Sequence, residues 1–261
     1  MTYLNPKTNS KLNTRQIRAF KKSKANRTLQ MLTCYDFQTA SLLNETALDL
    51  ILIGDSLGNV ILGYDTTIEV SIDTMVLFSK AVKKGAPNKF VIADLPFGSY
   101  ASMELGLANS IKLFQQSGVE ALKLEGAFPF ELELITRLTQ IGIPVMGHIG
   151  LTPQSVHEQG GYFTHGKNAD EQEKLMNEAL GLQAAGCFSI VLECVEESLA
   201  NKITEKLSIP TIGIGAGSGT DGQVLVINDL LHLGKNDPPK FCTSIANLYE
   251  TKKQLLNEYL K

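Results

Sequence analysis

Short apolar runs alternate along this chain with longer segments of helical spacing. Eight runs rich in Ile, Leu and Val predict strands at Leu29–Cys34, Leu48–Ile53, Phe90–Ala93, Ala121–Leu124, Ile143–Gly147, Ser189–Leu192, Pro210–Ile214 and Val224–Ile227. Runs that are apolar at nearly every position suit parallel strands covered on both faces. Between them, Met103–Ser117, Phe130–Gln140, Asp170–Ala185 and Glu196–Leu207 carry the spacing of amphipathic helices. Eight strands alternating with helices predict an α/β fold, a (β/α)8 TIM barrel in a single domain.

The ends differ from the middle. Residues 1–13 are polar and are expected to form an extended arm, leaving 14–261 as the catalytic barrel. Thr14 is expected to cap a short helix running through Ile17 and Phe20. The basic cluster Arg18, Lys21, Lys22, Lys24 and Arg27 reads as the solvated face of that helix, since the net charge of the chain is negative. At the other end, Thr243–Leu260 predicts an amphipathic helix with Ile245, Leu248, Tyr249, Leu255 and Leu256 on one stripe, packed on the barrel or on a neighbouring subunit. Two weak internal repeats support a modular barrel. FQQSGVEALKLEG (114–126) aligns with LQAAGCFSIVLEC (182–194), and IPVMGHIG (143–150) with IPTIGIGAG (209–217). The first repeat puts Glu125 and Glu193 at the same phase, the C-terminal end of a strand.

Composition narrows the class. The chain has 261 residues, the size of one such barrel, and a net charge of −3. That charge argues against a nucleic-acid binder relying on bulk positive potential. No apolar run approaches the ~20 residues that span a bilayer, and the N-terminus lacks the apolar core of a secretory signal. The four cysteines, Cys34, Cys187, Cys194 and Cys242, form no CxxC pair. Few, scattered cysteines fit a reducing compartment, so a soluble cytoplasmic protein is expected.

The candidate chemistry lies where the strands end. Gly54-Asp55-Ser56, Asp94, Glu125, His148 and Glu193 each close a predicted strand. In a (β/α)8 barrel these ends converge on the face that holds the active site. Four carboxylates in one basin would repel one another, and a divalent cation neutralises them. Oxygen-only ligands select a hard ion, Mg2+ or Mn2+. Lys123, between Leu122 and Leu124, points either outward or into the barrel, where it could meet an anionic substrate. His148 reads either as a structural hydrogen-bonding residue or as a support to the site. Gly217, Gly219 and Gly222 spell GxGxxG, but too late in the chain for a dinucleotide fingerprint; a tight loop after the seventh strand is expected.

The segments LTCYDFQTA (32–40), GDSLG (54–58), ADLPF (93–97), KLEG (123–126), GHIGLTPQ (147–154), LECV (192–195) and IPTIGIGAGSGTDGQVLV (209–226), in this order, resemble the ketopantoate hydroxymethyltransferase family. The resemblance runs from about residue 14 to about residue 241. It implies transfer of a hydroxymethyl group from 5,10-methylenetetrahydrofolate to 3-methyl-2-oxobutanoate, giving 2-dehydropantoate in pantothenate biosynthesis, through an enolate stabilised by Mg2+. It implies metal binding by Asp55 and Asp94, with Glu125 as third acid, directly or through water. It implies substrate binding by Asp55, Ser56, Asp94 and Lys123, and Glu193 as the base. The strand before Glu193 is apolar, without a lysine, which suits a proton acceptor. The resemblance further implies a homo-oligomer, often a decamer. Many members carry a Pro-Gly-Glu-His-Ser-Phe-like tail after the last helix, which this sequence lacks. A rival reading of the same acids is a Mg2+-dependent barrel lyase acting on 2-oxo acids, of the isocitrate lyase or phosphoenolpyruvate mutase kind.

Overall fold

The computed structural model describes residues 11–22 and 27–261. Eight strands, β1 (Leu29–Thr33), β2 (Leu50–Ile53), β3 (Phe90–Asp94), β4 (Ala121–Glu125), β5 (Val145–Gly150), β6 (Ser189–Glu193), β7 (Thr211–Ile214) and β8 (Gly222–Leu225), pair in chain order, and β1 closes on β8. All pairs are parallel, so the sheet is a barrel without an edge. All eight strands fall within two residues of their expected starts. The eighth begins at Gly222 rather than Val224, because Gly222 fits where a Cβ would lie 2.5 Å from Ile212 Cδ1 and 2.8 Å from Leu29 Cβ. A residue without a side chain lets β8 slide between its two neighbours.

The helices are α1 (Thr14–Lys22), α2 (Phe37–Asn44), α3 (Ile72–Gly85), α4 (Met103–Ser117), α5 (Pro129–Gln140), α6 (Val156–Gln159), α7 (Ala169–Ala184), α8 (Glu197–Lys206), α9 (Ile227–Leu230) and α10 (Leu248–Tyr259). The barrel divides the core in two. Ile51, Ile53, Val91, Leu122, Leu124, Ile190 and Leu192 face outward and pack against the helices. Leu50, Leu52, Phe90, Ile92, Met146, Val191 and Ile212 fill the interior. This two-residue alternation positions the site. Phe90 and Ile92 share a phase with Asp94, Ala121 with Lys123 and Glu125, Met146 with His148, and Val191 with Glu193. The interior is therefore apolar toward the N-terminal ends of the strands and charged toward their C-terminal ends.

The N-terminal helix α1 closes the apolar end. Ile17 is fully buried against the interior cluster, with Leu12 and Phe20 packed beside it. Its cap is Asn13, not Thr14: the Gln16 N–H donates to Asn13 Oδ1 and the Asn13 N–H to Gln16 Oε1, each at 3.0 Å. The basic residues around it are engaged with the barrel floor rather than merely solvated. Arg18 donates to the Gly186 carbonyl, Lys21 pairs with Asp221 at 2.8 Å, and Arg27 forks onto Asp49 at 2.7 and 2.8 Å. Lys24 and residues 1–10 of the expected arm lie outside the described residues. The glycine motif forms the loop between β7 and β8 and opens no helix, as expected.

The last helix is shorter than its apolar pattern suggests. The Ile245 and Leu248 N–H groups donate to the Leu230 and Leu231 carbonyls, so this stretch pairs with the end of α9 instead of entering a helix. Asn247 then caps α10. No residue of α10 is buried, and its stripe, Leu255, Leu256, Tyr259 and Leu260, is at least 60% exposed. The expected packing of this helix on its own barrel does not occur.

Candidate active site

All the acids singled out from the sequence meet at the C-terminal mouth of the barrel. Asp94 and Lys123 are register partners across β3 and β4, and Glu125 and His148 across β4 and β5. Asp55 sits in the turn just after β2, where its N–H donates to Asp94 Oδ2 at 3.2 Å. Gly54 makes that turn possible, since a Cβ there would lie 2.6 Å from Ser56 Oγ and 3.7 Å from Asp94 Oδ2. Ser56 is held by a 2.8 Å hydrogen bond with the buried Tyr35 hydroxyl.

Lys123 points inward, which decides between the two orientations open from sequence. Its Nζ lies 3.2 Å from Asp94 Oδ1, 3.9 Å from Glu125 Oε1 and 3.2 Å from His148 Nδ1. A lysine this deep needs such partners. Burial alone would lower its pKa, but Asp94, Glu125, Asp55 and Glu193 together raise it above the ordinary value. His148 bridges two acids, with Nδ1 3.2 Å from Glu125 Oε1 and Nε2 3.2 Å from Glu193 Oε2. Burial and Lys123 push its pKa down, yet Glu125 and Glu193 raise it to about 9. His148 thus stands between the two carboxylates. The expectation of apolar surroundings for Glu193 is corrected here: Ile190 and Leu192 face the helices, while the carboxylate faces the His148 ring.

The acids differ in how well they are neutralised. Burial works against ionised Glu125, but His148 and Lys123 hold its pKa below the ordinary range. Asp55 lies well above that range, through burial and the charges of Asp94 and Glu125. Asp94 is also raised, by burial first, with Lys123 opposing. Four carboxylates thus face one ammonium and one imidazole, and the acids least well neutralised are Asp55 and Asp94. Asp94 Oδ1, beside Lys123, has no aligned hydrogen bond. Among the described residues no three His, Cys, Asp or Glu side chains form a group that could enclose a metal ion. Both Glu125 oxygens are already engaged, Oε1 near His148 and Lys123 and Oε2 accepting the Gln154 N–H at 3.1 Å. Asp55 and Asp94 are also partly engaged, through Gln154 on Asp55 Oδ2 and the Asp55 N–H on Asp94 Oδ2, but Asp94 Oδ1 keeps no aligned hydrogen bond, so this pair is the more open to a cation. Two hard carboxylate oxygens fit Mg2+, which retains several waters.

Sequence reasoning missed four residues here: Tyr35, Tyr100, Gln154 and Tyr162. Tyr162 is exposed on the loop after α6, and the charges of Glu193, Asp55 and Glu125 add to burial in raising its phenol pKa. A separate cavity of about 250 Å³ is lined by Gly126, Gly150, Thr152, Phe163, His165 and Lys174, among others, and by none of Asp55, Asp94, Glu125 and Glu193. Gly150 has φ +94°, and a Cβ there would lie 2.3 Å from the Glu193 carbonyl oxygen. The backbone at Glu193 is thereby packed directly against β5.

Comparison with known proteins agrees with this geometry. The family model for ketopantoate hydroxymethyltransferase matches residues 11–261. The 3-methyl-2-oxobutanoate hydroxymethyltransferase of Leptospira interrogans is 48% identical over 239 residues, covering 91% of this chain and 90% of the relative. The enzyme of the same name from Geobacillus thermodenitrificans is 48% identical over 242 residues, covering 92% of this chain and 86% of the relative. Among solved structures, the barrel is similar to phosphoenolpyruvate phosphomutase from Streptomyces platensis subsp. rosaceus, with a TM-score of 0.62 at 12% identity, covering 95% of this chain and 85% of that one. It is also similar to phosphonopyruvate hydrolase in complex with oxalate and Mg2+, with a TM-score of 0.60 at 11% identity, covering 95% and 98%. At such identities the likeness speaks for the fold alone. With sequence identity near one half over almost the whole chain, and a family model spanning every described residue, this chain belongs to the ketopantoate hydroxymethyltransferase family of transferases.

Proposed function

We propose that the protein transfers a hydroxymethyl group from 5,10-methylenetetrahydrofolate to carbon 3 of 3-methyl-2-oxobutanoate, forming 2-dehydropantoate. The observation that carries this reading is the pairing of an under-neutralised Asp55–Asp94 site with a separate carboxylate, Glu193, braced by His148. Asp55 and Asp94 would hold Mg2+, with Glu125 behind them. A bound Mg2+ supplies Lewis acidity beside a 2-oxo acid, which eases loss of the proton next to the ketone.

Glu193 takes that proton, and its neighbour His148 keeps the carboxylate in place while staying out of the exchange. Lys123 and Ser56 face the substrate's carboxylate and the charge that develops on it. Carbon 3 bonds to the one-carbon unit and water supplies its hydroxyl oxygen, so both carbon–nitrogen bonds that hold this carbon in the folate break. The two folate nitrogens take up the proton lost from carbon 3 and the second proton of the water. We further place the enzyme in the cytoplasm as a homo-oligomer, a role for which the bare face of α10 is suited.

The decisive experiment follows the carbon-3 proton of 3-methyl-2-oxobutanoate in deuterium oxide by NMR, without folate. Glu193→Gln is expected to keep Mg2+ and 2-oxo acid binding but to lose the exchange. Exchange at the unaltered rate would transfer the role of base to another group, with His148 the first to test.

A further inference from the structure

Gln154 is the most fully engaged polar side chain in the site, yet nothing above gives it a task. It lies 4% exposed in the short 3-10 turn Pro153–Ser155 that follows β5. Its Nε2 donates to Asp55 Oδ2 at 2.7 Å and to the Leu95 carbonyl at 2.9 Å. Its Oε1 accepts from the Tyr100 hydroxyl at 2.7 Å. Its backbone N–H donates to Glu125 Oε2 at 3.1 Å. Each partner fixes the amide in one sense. A carboxylate and a carbonyl can only accept, so the NH2 end must face them, and the tyrosine hydroxyl can then serve the oxygen. The amide has no second orientation that satisfies the same groups.

The consequence falls on Asp55. Gln154 supplies a neutral hydrogen bond to one Asp55 oxygen, which sets the carboxylate plane. The residue also joins three loops, through Leu95 after β3, Glu125 at the end of β4, and its own turn after β5.

We infer that Gln154, locked by Tyr100, is the positioning residue that sets the Asp55 carboxylate for cation binding and holds it in register with Glu125. This rests on the reading of Asp55 and Asp94 as metal ligands. It assigns Gln154 no contact with substrate and no part in proton transfer.

Mn2+ alone serves as the probe, titrated by electron paramagnetic resonance into the full chain without substrate. Partners that orient a metal ligand typically change affinity by about 10–100-fold when removed. Gln154→Leu is expected to weaken Mn2+ binding at least tenfold and to broaden the bound spectrum, with an unchanged circular dichroism spectrum. Tyr100→Phe removes the lock on the amide, along with a long 3.4 Å hydrogen bond to the Glu125 carbonyl, and is expected to weaken binding a few-fold. In the Gln154→Leu background Tyr100→Phe should have no further effect, because the two act as one chain. A merely structural role would make the two losses add.

Folded Gln154→Leu with unaltered Mn2+ affinity overturns the inference. Should that variant not fold, unaltered affinity in Tyr100→Phe overturns it instead. If the unaltered protein itself binds no Mn2+, the metal reading fails and this inference with it. If the unaltered protein binds and both variants bind equally well, only the positioning role is lost.

Discussion

The buried Lys123 offers the sharpest energetic test of the site. Replacement by Met keeps the length and nearly the volume of the side chain while removing its charge, so the cavity term is small. What is lost is a cation 3.2 Å from Asp94 and 3.9 Å from Glu125, with side-chain exposures of 3–5% for all three residues. Removing one partner of a buried pair leaves an uncompensated charge and costs about 3–5 kcal/mol. For a chain of this size each kcal/mol moves the melting temperature by roughly 2–4 °C, which gives an expected drop of roughly 6–20 °C. The melt is measured by calorimetry in chelator, so that no cation stands in for the lysine. The double variant Lys123→Met with Asp94→Asn removes both charges and should recover most of the loss. A single variant melting within about 2 °C of the unaltered protein would refute the claim that this ammonium holds the acids together. So would a double variant that melts below the single one.

Other outcomes follow from the same geometry. Asp55→Ala should lose Mg2+-dependent activity while keeping its circular dichroism spectrum; full activity in chelator would remove the metal assignment. Deleting residues 250–261 takes away the part of α10 that lies exposed, so the subunit should stay folded while the particle size by light scattering changes, and an unchanged size would refute a role in assembly. Ile17→Ala opens a hole in the floor of the barrel; urea unfolding should show a loss of about 2–5 kcal/mol, and a loss under 1 kcal/mol would mean that α1 is dispensable there.

The barrel was legible in the sequence because buried parallel strands are apolar on both faces and alternate with segments of helical spacing. The site was legible for a related reason. Asp94, Glu125, His148 and Glu193 interrupt those runs at one phase, and the alternation of the strands sends them all inward. Asp55 was found by its place after β2. What escaped notice lacks a periodic signal. Gln154 follows a Thr-Pro pair and looks like an ordinary turn residue, and Tyr100 lies in a loop of Gly and Ser. Their roles depend on hydrogen bonds between segments far apart in the chain. The start of α10 was misplaced because Ile245 continues the apolar pattern, while the carbonyls that claim its backbone belong to α9. The cap at Asn13 was missed because Thr14 is as good a capping residue, and only the reciprocal bond with Gln16 decides between them.

The closure of β1 on β8 sets a clock on the protein's synthesis. Leu29 pairs with Gly222, the Leu29 N–H donates to the Asp221 carbonyl, and the Ile227 N–H reaches Thr33 Oγ1. The first strand made therefore waits for the last. At roughly 5–20 residues per second, the intervening 200 or so residues take about 10–40 s to emerge. Throughout that interval β1 has one unpaired side, and the apolar face of α1 has only part of its floor to cover. Ribosome-bound chains will thus carry an open sheet edge for most of their time in translation. The yield of folded enzyme depends on what shields that edge as well as on the stability of the finished barrel.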